Sequence, residues 1–381
     1  MRRRTTNQEL RTRNHVPRTT EHGPRTTDHG LRTTDYGPRT TDYGLLSNHL
    51  MILAGDIGGT KTNLGLFDVA GGALRPRNQQ SFPSKRYEGL ESIVDEFLSA
   101  ADRPSVDAAC FGIAGPVLDD RSVTPNLPWV VKSESLASQL KLDSVALIND
   151  LEATAHGIAE LKPDEFATLN QGDPDVGNAA LIAAGTGMGS ASLFWDGHRH
   201  IPSASEGGHI DFAPSDQLET RLLQYLLEKY GHVSVERVVS GPGLLNIYDF
   251  LRSTGYAKED PIVVQRFAQS DPSSVVANAA LANECQLCTK ALDVFVGVYG
   301  AVAGNVALLL KATAGVYIGG GIAPKIVEKL KDGTFMKAFT AKGRLASLLE
   351  AIPVRVIMND KTALLGAARV AGRQSANRSS V

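Results

Sequence analysis

The sequence is poor in cysteine, with only Cys110, Cys285 and Cys288 among 381 residues. Three cysteines cannot form a framework of several disulfides, so a small disulfide-stapled extracellular domain is excluded and a reducing cytoplasm is expected. Cys285 and Cys288 form a single Cys-x-x-Cys pair with no second pair and no nearby histidine, which does not predict a zinc site. We expect both to be buried packing residues.

A strong excess of either charge is also missing. The sequence has 39 lysines and arginines against 41 aspartates and glutamates, which gives no basis for binding nucleic acid or an anionic membrane. No apolar signal-peptide segment follows the N-terminal Met1-Arg-Arg-Arg. Residues 291–310 are apolar over the length of a membrane span. Because Asp293 and Asn305 interrupt that segment, we expect a buried helix of a soluble protein.

Apolar residues are scarce in the first 50 positions. Residues 17–44 are four copies of a heptapeptide in which Arg-Thr-Thr is followed by an acid, an aromatic or histidine, and glycine. The repeat has no apolar coiled-coil seam, and so little apolar surface cannot offset the entropy lost on ordering. We therefore expect 1–50 to be a disordered extension, with Met51 as the true start. Its nine arginines against five acids leave a basic arm for a partner as the alternative.

The most informative segment that is present lies at 53–67, where two apolar runs flank Gly55, Asp56, Ile57, Gly58, Gly59 and Thr60. This pattern predicts a β-hairpin with strands at 51–55 and 62–68. The glycines leave backbone N–H groups open to phosphate, and Asp56 is placed to hold hydrated Mg²⁺ beside it. An ordinary Gly-rich hairpin is the alternative. A Walker A loop is disfavoured, because Lys61-Thr62 follows Thr60 instead of glycine and a strand follows.

The pattern of strand, Gly-rich turn and strand recurs at 180–195, with Gly185, Thr186 and Gly187 in the turn. Ser190 stands where the third glycine of a dinucleotide-binding fingerprint belongs, which disfavours that class of enzyme. The duplication predicts two related domains facing each other across a cleft.

The rest of the chain alternates between strand-like and helix-like periodicity. Further strands are predicted at 108–113, 145–148, 316–318 and 353–358. Helices are predicted at 88–101, 150–160, 216–230, from about 278, from about 324, and at 360–371. This order favours mixed sheets with helices on both faces, an α/β class.

Three further segments carry candidate chemistry. Asn149 and Asp150 close a strand, where ligands of open α/β sheets gather, and a carboxylate there can take a proton from a hydroxyl. A helix N-cap is the alternative for Asp150. Glu206 and His209 flank two glycines and can hold adjacent hydroxyls, although a metal site is also conceivable. Glu236 precedes a Ser-Gly-Pro-Gly loop and can accept hydrogen bonds from sugar hydroxyls.

Together these motifs resemble the bacterial glucokinase family over about 51–372. The resemblance rests on residues 55–60, 148–150, 185–189, 206–214, 231–243 and 319–324. It implies a two-domain actin-like (ribonuclease-H-like) ATPase fold with a cleft between the domains. The small α/β domain would comprise 51–160 plus about 357–373, and the large α/β domain 161–356.

The resemblance also implies an activity, which is transfer of the ATP γ-phosphoryl group to the 6-hydroxyl of glucose, the first step of glycolysis. It makes Asp150 the general base and assigns the sugar hydroxyls to Asn149, Asp150, Glu206, His209 and Glu236. It places ATP phosphates at 55–60 and at Gly185, Thr186 and Gly187, and the adenosine beside Gly319, Gly320 and Gly321.

The same resemblance bears on metals and partners. Mg²⁺ would arrive with ATP, held in part by Asp56, and no zinc is expected, because the cysteine-rich run of the repressor/ORF/kinase sugar kinases does not follow His209. A cytoplasmic homodimer without nucleic-acid or membrane partners is the family expectation. The rival functions are a kinase for another hexose, a sugar-independent actin-like ATPase, and a sugar-sensing repressor, which would need a DNA-binding domain before Met51.

Overall fold

We analysed a computed structural model that describes residues 50–124 and 127–378. The heptapeptide repeat lies outside the described residues. The chain folds around two mixed β-sheets, each of which contains one of the two hairpins that the sequence predicts.

The first sheet is built on the first Gly-rich hairpin. Strands β1 (Leu50–Ile57) and β2 (Lys61–Ala70) pair antiparallel, and β3 (Ala73–Pro83) adds an outer antiparallel strand. Strand β4 (Ala108–Ile113) runs parallel to β1 and is buried at every residue, as expected of a central strand covered on both faces. Helix α1 (Leu90–Ala100) covers one face with its apolar stripe.

After β4, the chain forms a small separate sheet. It consists of β5 (Val117–Leu118), β6 (Arg121–Val123) and β7 (Val130–Lys132), and helix α2 (Ser133–Leu140) follows it. Strand β8 (Ala146–Asn149) then returns to the first sheet, parallel to β4, and leads directly into helix α3 (Asp150–Gly157). The strand order of the first sheet is β3-β2-β1-β4-β8.

The second sheet repeats this arrangement. Its strands are β9 (Phe166–Asn170), β10 (Ala179–Ala184), β11 (Met188–Trp195), β12 (His200–Ser205), β13 (Gly315–Gly319) and β14 (Val354–Ile357). Their order is β12-β11-β10-β13-β14-β9. As in the first sheet, two antiparallel pairings precede two parallel ones, and a sixth strand, β9, which has no counterpart in the first sheet, pairs antiparallel with β14. The duplication predicted from the hairpins is therefore confirmed in strand order and direction.

Helices between β12 and β14 form the largest core. They are α4 (Gln217–Tyr230), α5 (Gly241–Ser253), α6 (Pro261–Phe267), α7 (Pro272–Leu281), α8 (Gln286–Leu310), α9 (Val327–Leu330), α10 (Thr334–Thr340) and α11 (Ala346–Ala351). A final helix, α12 (Thr362–Arg378), closes the described chain. The helix predicted from about 324 is thus a broken series of short helices.

The long apolar segment at 291–310 belongs to α8. Within the described residues, α8 is the one helix long and apolar enough to cross a membrane, and 67% of its most apolar window is buried inside the protein. Phe295 and Tyr299 on this helix are fully buried against the second sheet and α10. The prediction of a buried core helix is confirmed.

The prediction of one continuous helix from about 278 is wrong. Helix α7 ends at Leu281, and Asn283 adopts a left-handed backbone conformation (φ 55°), which an α-helix cannot contain. Helix α8 restarts after Cys285, whose Sγ accepts a hydrogen bond from the backbone N–H of Cys288. Both cysteines are free thiols buried in the core, so their predicted packing role is confirmed.

Helices α3 and α12 lie between the two sheets. Helix α12 packs its alanines and Leu364 on β1 and β4, while the end of α3 packs on the second sheet. The two helices touch closely at Gly366, where a Cβ would lie 1.7 Å from the carbonyl oxygen of Ala153. At the other end of α3, a Cβ on Gly157 would lie 1.9 Å from the carbonyl oxygen of Thr362. Glycine at both positions therefore sets the separation of the helix pair.

Candidate functional site

The carboxyl edge of the first sheet gathers two of the predicted segments. Ile57, Ile113 and Asn149 end three adjacent parallel strands in register. The first Gly-rich turn and the Asn149–Asp150 pair therefore emerge side by side. This edge is where ligands of open α/β sheets bind.

The first turn is shorter than predicted. Gly55, Asp56 and Ile57 belong to β1, so the turn comprises only 58–60. The absence of a side chain at Gly55 is explained by packing, because a Cβ there would lie 2.4 Å from the ring of Phe111. Because Gly55 lies within β1, it could take its predicted part in phosphate binding only through the backbone of that strand.

Two buried hydroxyls hold the first turn, and the sequence reasoning missed both. Ser84 donates its hydroxyl to the carbonyl of Gly58 at 2.8 Å and its backbone N–H to the carbonyl of Thr60 at 3.1 Å. The hydroxyl of Thr62 lies 2.9 Å from that of Ser84. Both side chains are fully buried. Because unpaired buried hydroxyls are costly, this network fixes the shape of the turn.

Asp56 is the next-to-last residue of β1 and so lies close to the same edge. Asn63, directly opposite on β2, donates its side-chain amide to one Asp56 carboxylate oxygen at 2.9 Å. Burial raises the pKa of this carboxyl above its ordinary value, and the nearby Asp360 adds to the rise, whereas Asn63 and Lys61 lower it. A carboxylate that has lost water in this way gains from a cation beside it.

Asn149, not Asp150, caps helix α3. The Asn149 side-chain oxygen accepts from the backbone N–H of Leu151 at 2.8 Å, and its amide donates to the carbonyl of Gly115 at 3.1 Å. Asp150 is the first helical residue. The alternative that Asp150 serves as the N-cap is therefore wrong, and its carboxylate is available for another role.

The Asp150 carboxyl has an unusual proton affinity. Burial raises its pKa to about 6, and the neighbouring carboxylates of Asp56 and Glu206 add to the rise, while a hydrogen bond from the backbone N–H of Leu151 opposes it. A carboxylate with a pKa near 6 is a stronger base than an ordinary aspartate and is still ionised at neutral pH. This combination suits a group that takes a proton from an alcohol.

Helix α3 and the segment between Glu206 and His209 both pack on the start of β11. Leu151 of α3 packs on Gly189, where a Cβ would lie 2.9 Å from the leucine side chain. A Cβ on Gly208 would lie 1.9 Å from the carbonyl oxygen of Met188, and one on Gly207 would lie 2.2 Å from the Ser190 hydroxyl. The two glycines between Glu206 and His209 therefore let that segment lie directly across β11.

Glu206 and His209 are exposed in the described structure. Their side chains are 76% and 63% exposed, and the closest nitrogen and oxygen are 3.9 Å apart. The charge of Glu206 contributes, as the smallest of the causes, to the raised pKa of Asp150. Within the described residues, no cluster of three or more His, Cys, Asp or Glu side chains could hold a metal ion.

Glu236 lies against the second Gly-rich turn, and this contact was not predicted from the sequence. One carboxylate oxygen, Oε2, accepts a hydrogen bond from the backbone N–H of Met188 at 2.9 Å. The same oxygen lies 2.5 Å from where a Cβ of Gly187 would be. Five residues further on, the backbone N–H of Gly241 donates to the carbonyl of Gly185 at 2.8 Å. The segment 236–241 therefore holds the turn at both ends.

The glycine turn at 319–321, which follows β13, lies beside the turn at 185–187. Gly319 ends β13 in register with Ala183. Gly320 has φ 82° and would place a Cβ 2.3 Å from the carbonyl oxygen of Ala184, so only glycine fits there. The structure thus brings the turn at Gly185, Thr186 and Gly187 together with that at Gly319, Gly320 and Gly321.

Comparison with known proteins identifies the family. The Glucokinase family model matches residues 53–374. A glucokinase from Nostoc punctiforme is 40% identical over 338 residues, which cover 85% of this chain and 99% of the relative. One from Yersinia pestis is 36% identical over 316 residues, covering 83% of this chain and 94% of the relative.

Solved structures agree. A glucokinase from an Antarctic psychrotroph superposes with a TM-score of 0.75 at 29% identity, covering 85% of this chain and 99% of that one. A Balamuthia mandrillaris glucokinase in complex with glucose gives 0.69 at 21% identity, covering 87% and 96%. A ROK family glucokinase from Streptomyces griseus, in complex with glucose and AMPPNP, gives 0.58 at 21% identity, covering 85% and 99%.

These neighbours have the actin-like ATPase fold, and the two sheets of this chain share its α/β architecture. The family match and the curated relatives both extend over most of the sequence. The chain therefore belongs to the glucokinase family of ATP-dependent hexose kinases.

Proposed function

We propose that Asp150 is the general base of this glucokinase, which takes the proton of the glucose 6-hydroxyl as that oxygen attacks the γ-phosphorus of ATP. The observation that carries the assignment is the half-buried carboxylate at the first residue of α3, freed from capping by Asn149. Its pKa of about 6 keeps it ionised at neutral pH while making it a competent proton acceptor.

The sugar would lie between residues carried by the two sheets. Asn149 and Asp150 come from the end of β8, whereas Glu206, His209 and Glu236 come from segments packed on β11. Carboxylates accepting from hydroxyls give short, oriented hydrogen bonds, so two acids and a histidine suit a polyhydroxyl ring. The exposure of Glu206 and His209 is what an open site requires before its substrate enters.

The nucleotide would be held by the glycine turns. The backbone at 58–60 and at 185–187 would receive phosphate oxygens, and the turn at 319–321 would lie beside the adenosine. Backbone N–H groups at such turns stabilise phosphate charge without side chains that would block its approach.

Asp56 fits a role beside Mg²⁺. Its carboxylate is a hard oxygen donor at the sheet edge, with one oxygen bound to Asn63 and with a raised pKa that a cation would offset. A magnesium ion brought by ATP characteristically uses one or two protein carboxylates, of which Asp56 would supply one. When bound, the ion would neutralise phosphate charge as the γ-phosphoryl group moves.

The two lobes would close on the ternary complex. We assign 51–160 with about 357–373 to the small domain and 161–356 to the large one, with α3 and α12 between the sheets. Closure would exclude water, which is the competing acceptor of the phosphoryl group. Three buried free thiols suit work in a reducing cytoplasm, and a homodimer remains the family expectation.

A panel of hexoses tests the function directly. ATP consumption would be measured in a coupled assay with glucose, mannose, fructose and galactose, and with no sugar. We expect rapid turnover with glucose and very little without sugar. Faster turnover with another hexose would reassign the substrate, and undiminished turnover without sugar would favour an actin-like ATPase instead.

A further inference from the structure

The two oxygens of the Glu236 carboxylate differ in their hydrogen bonding. Oε2 accepts from the backbone N–H of Met188, which begins β11 directly after the second Gly-rich turn, so the turn and this residue together form the segment 185–188. Within the described residues, Oε1 accepts no hydrogen bond. The Glu236 side chain as a whole is only half-buried, so it is not sealed in the core.

The backbone beneath Glu236 is anchored. It lies on a short 3₁₀ turn, Val235–Arg237, in which Val235 is buried. The hydroxyl of Ser240, which is 1% exposed, donates to the Glu236 carbonyl at 2.7 Å. A change in the direction of this carboxylate is therefore transmitted to Met188 instead of being absorbed by a mobile loop.

We propose that Glu236 couples the sugar site to the nucleotide site, with one carboxylate oxygen on the turn at 185–188 and the other on a glucose hydroxyl. This inference rests on the proposed function, which places glucose at Glu236 and phosphate at that turn. A glucose hydroxyl that donates to Oε1 fixes the orientation of the Glu236 carboxylate. It also reduces the repulsion between this negative charge and the ATP phosphates. Glucose thereby prepares the turn for the polyphosphate chain, and ATP turnover becomes dependent on sugar.

The contact between Glu236 and the turn requires glycine at position 187. A Cβ at this position would lie 2.5 Å from Oε2 of Glu236 and, beyond that carboxylate, meets no other atom within 4 Å. The backbone of Gly187 does not have a positive φ. An alanine there would therefore displace the carboxylate without straining the turn.

The test measures the affinity for AMPPNP, with and without saturating glucose, by calorimetry. For the wild type we expect glucose to tighten AMPPNP binding by ~5-fold or more, in the usual range of coupling between sites. In Glu236→Ala, and to a lesser degree in the isosteric Glu236→Gln, we expect that ratio to fall to within about 2-fold of one. Glucose titrations of each variant establish saturation.

Glu206→Gln is the matched control, because Glu206 is also assigned to the sugar but does not touch the turn at 185–188. This variant should require more glucose for saturation and then show the wild-type ratio. Gly187→Ala should lower the ratio in the wild-type background and leave it unchanged in the Glu236→Ala background, since its effect runs through that carboxylate.

Three results would overturn the proposal. They are a ratio of one in the wild type, a wild-type ratio retained in Glu236→Ala, and a further loss when Gly187→Ala is added to Glu236→Ala. Absence of any glucose binding to the wild type would instead contradict the proposed function, so the two failures are distinguishable.

Discussion

At the scale of single residues, Asp150 predicts both the pH dependence of the rate and a cost in stability. Its pKa of about 6, raised first by burial and then by Asp56 and Glu206, means that kcat/KM for glucose should fall as the pH drops below about 6. Above that pH the base is ionised and the rate should level off. Asp150→Asn should lower kcat by ~10²–10⁴ and abolish this acid limb.

The same substitution should stabilise the fold. Because the folded state raises the pKa of Asp150, its ionised form is disfavoured there, and the penalty is present above pH 6 and shrinks as the pH falls through 6 toward 4. Asp150→Asn should therefore gain about 1 kcal/mol in the free energy of unfolding at pH 7, measured in urea. Glu328→Gln, at an acid that is 80% exposed and does not contribute to the raised pKa of Asp150, serves as the control. A variant with wild-type kcat, or with its acid limb intact, would remove Asp150 from the role of base.

At the scale of secondary structure elements, the sequence predicted what is encoded locally. Both Gly-rich hairpins were found because apolar runs around glycines are a short-range signal. Strands β3 and β12 were missed because these outer strands are mostly exposed and polar, so they lack an apolar pattern. The break between α7 and α8 was missed because apolar residues continue through it at helical spacing, and only the left-handed Asn283 ends the helix.

The contact between α3 and α12 makes a testable prediction at this scale. A Cβ at Gly366 would lie 1.7 Å from a backbone oxygen of α3, which cannot move without shifting the helix that begins with Asp150. Gly366→Ala should therefore cost ~1–3 kcal/mol of unfolding free energy, as overpacking typically does, and should lower kcat as well.

Gly297 of α8 provides the matched control for that substitution. It also lies inside a helix, but a Cβ there would meet nothing within 4 Å. Gly297→Ala should be neutral or stabilising by up to ~1 kcal/mol, since alanine is the better helix former. Equal stability of the two variants in urea would show that the helix pair accommodates a larger side chain and that its spacing is not set by glycine.

At the scale of the whole molecule, the site depends on contacts that no local pattern encodes. Glu236 reaches Met188 across 48 residues of sequence, and Leu151 reaches Gly189 across 38. The resemblance to glucokinases supplied the candidate residues of the site, but the fold alone reveals that Glu236, which we propose binds the sugar, also holds the second Gly-rich turn. It also reveals that Asn149 caps α3 in place of Asp150.

This arrangement predicts that glucose draws the two lobes together. Asn149 ends a strand of the first sheet and Asp150 follows it directly, whereas Glu206, His209 and Glu236 lie on segments packed on the second sheet. One sugar bound to all of them would therefore link both sheets. The radius of gyration measured by small-angle X-ray scattering should therefore decrease on saturation with glucose. Sorbitol at equal concentration controls for osmotic effects. An unchanged radius despite glucose binding would contradict closure of the two lobes on the sugar.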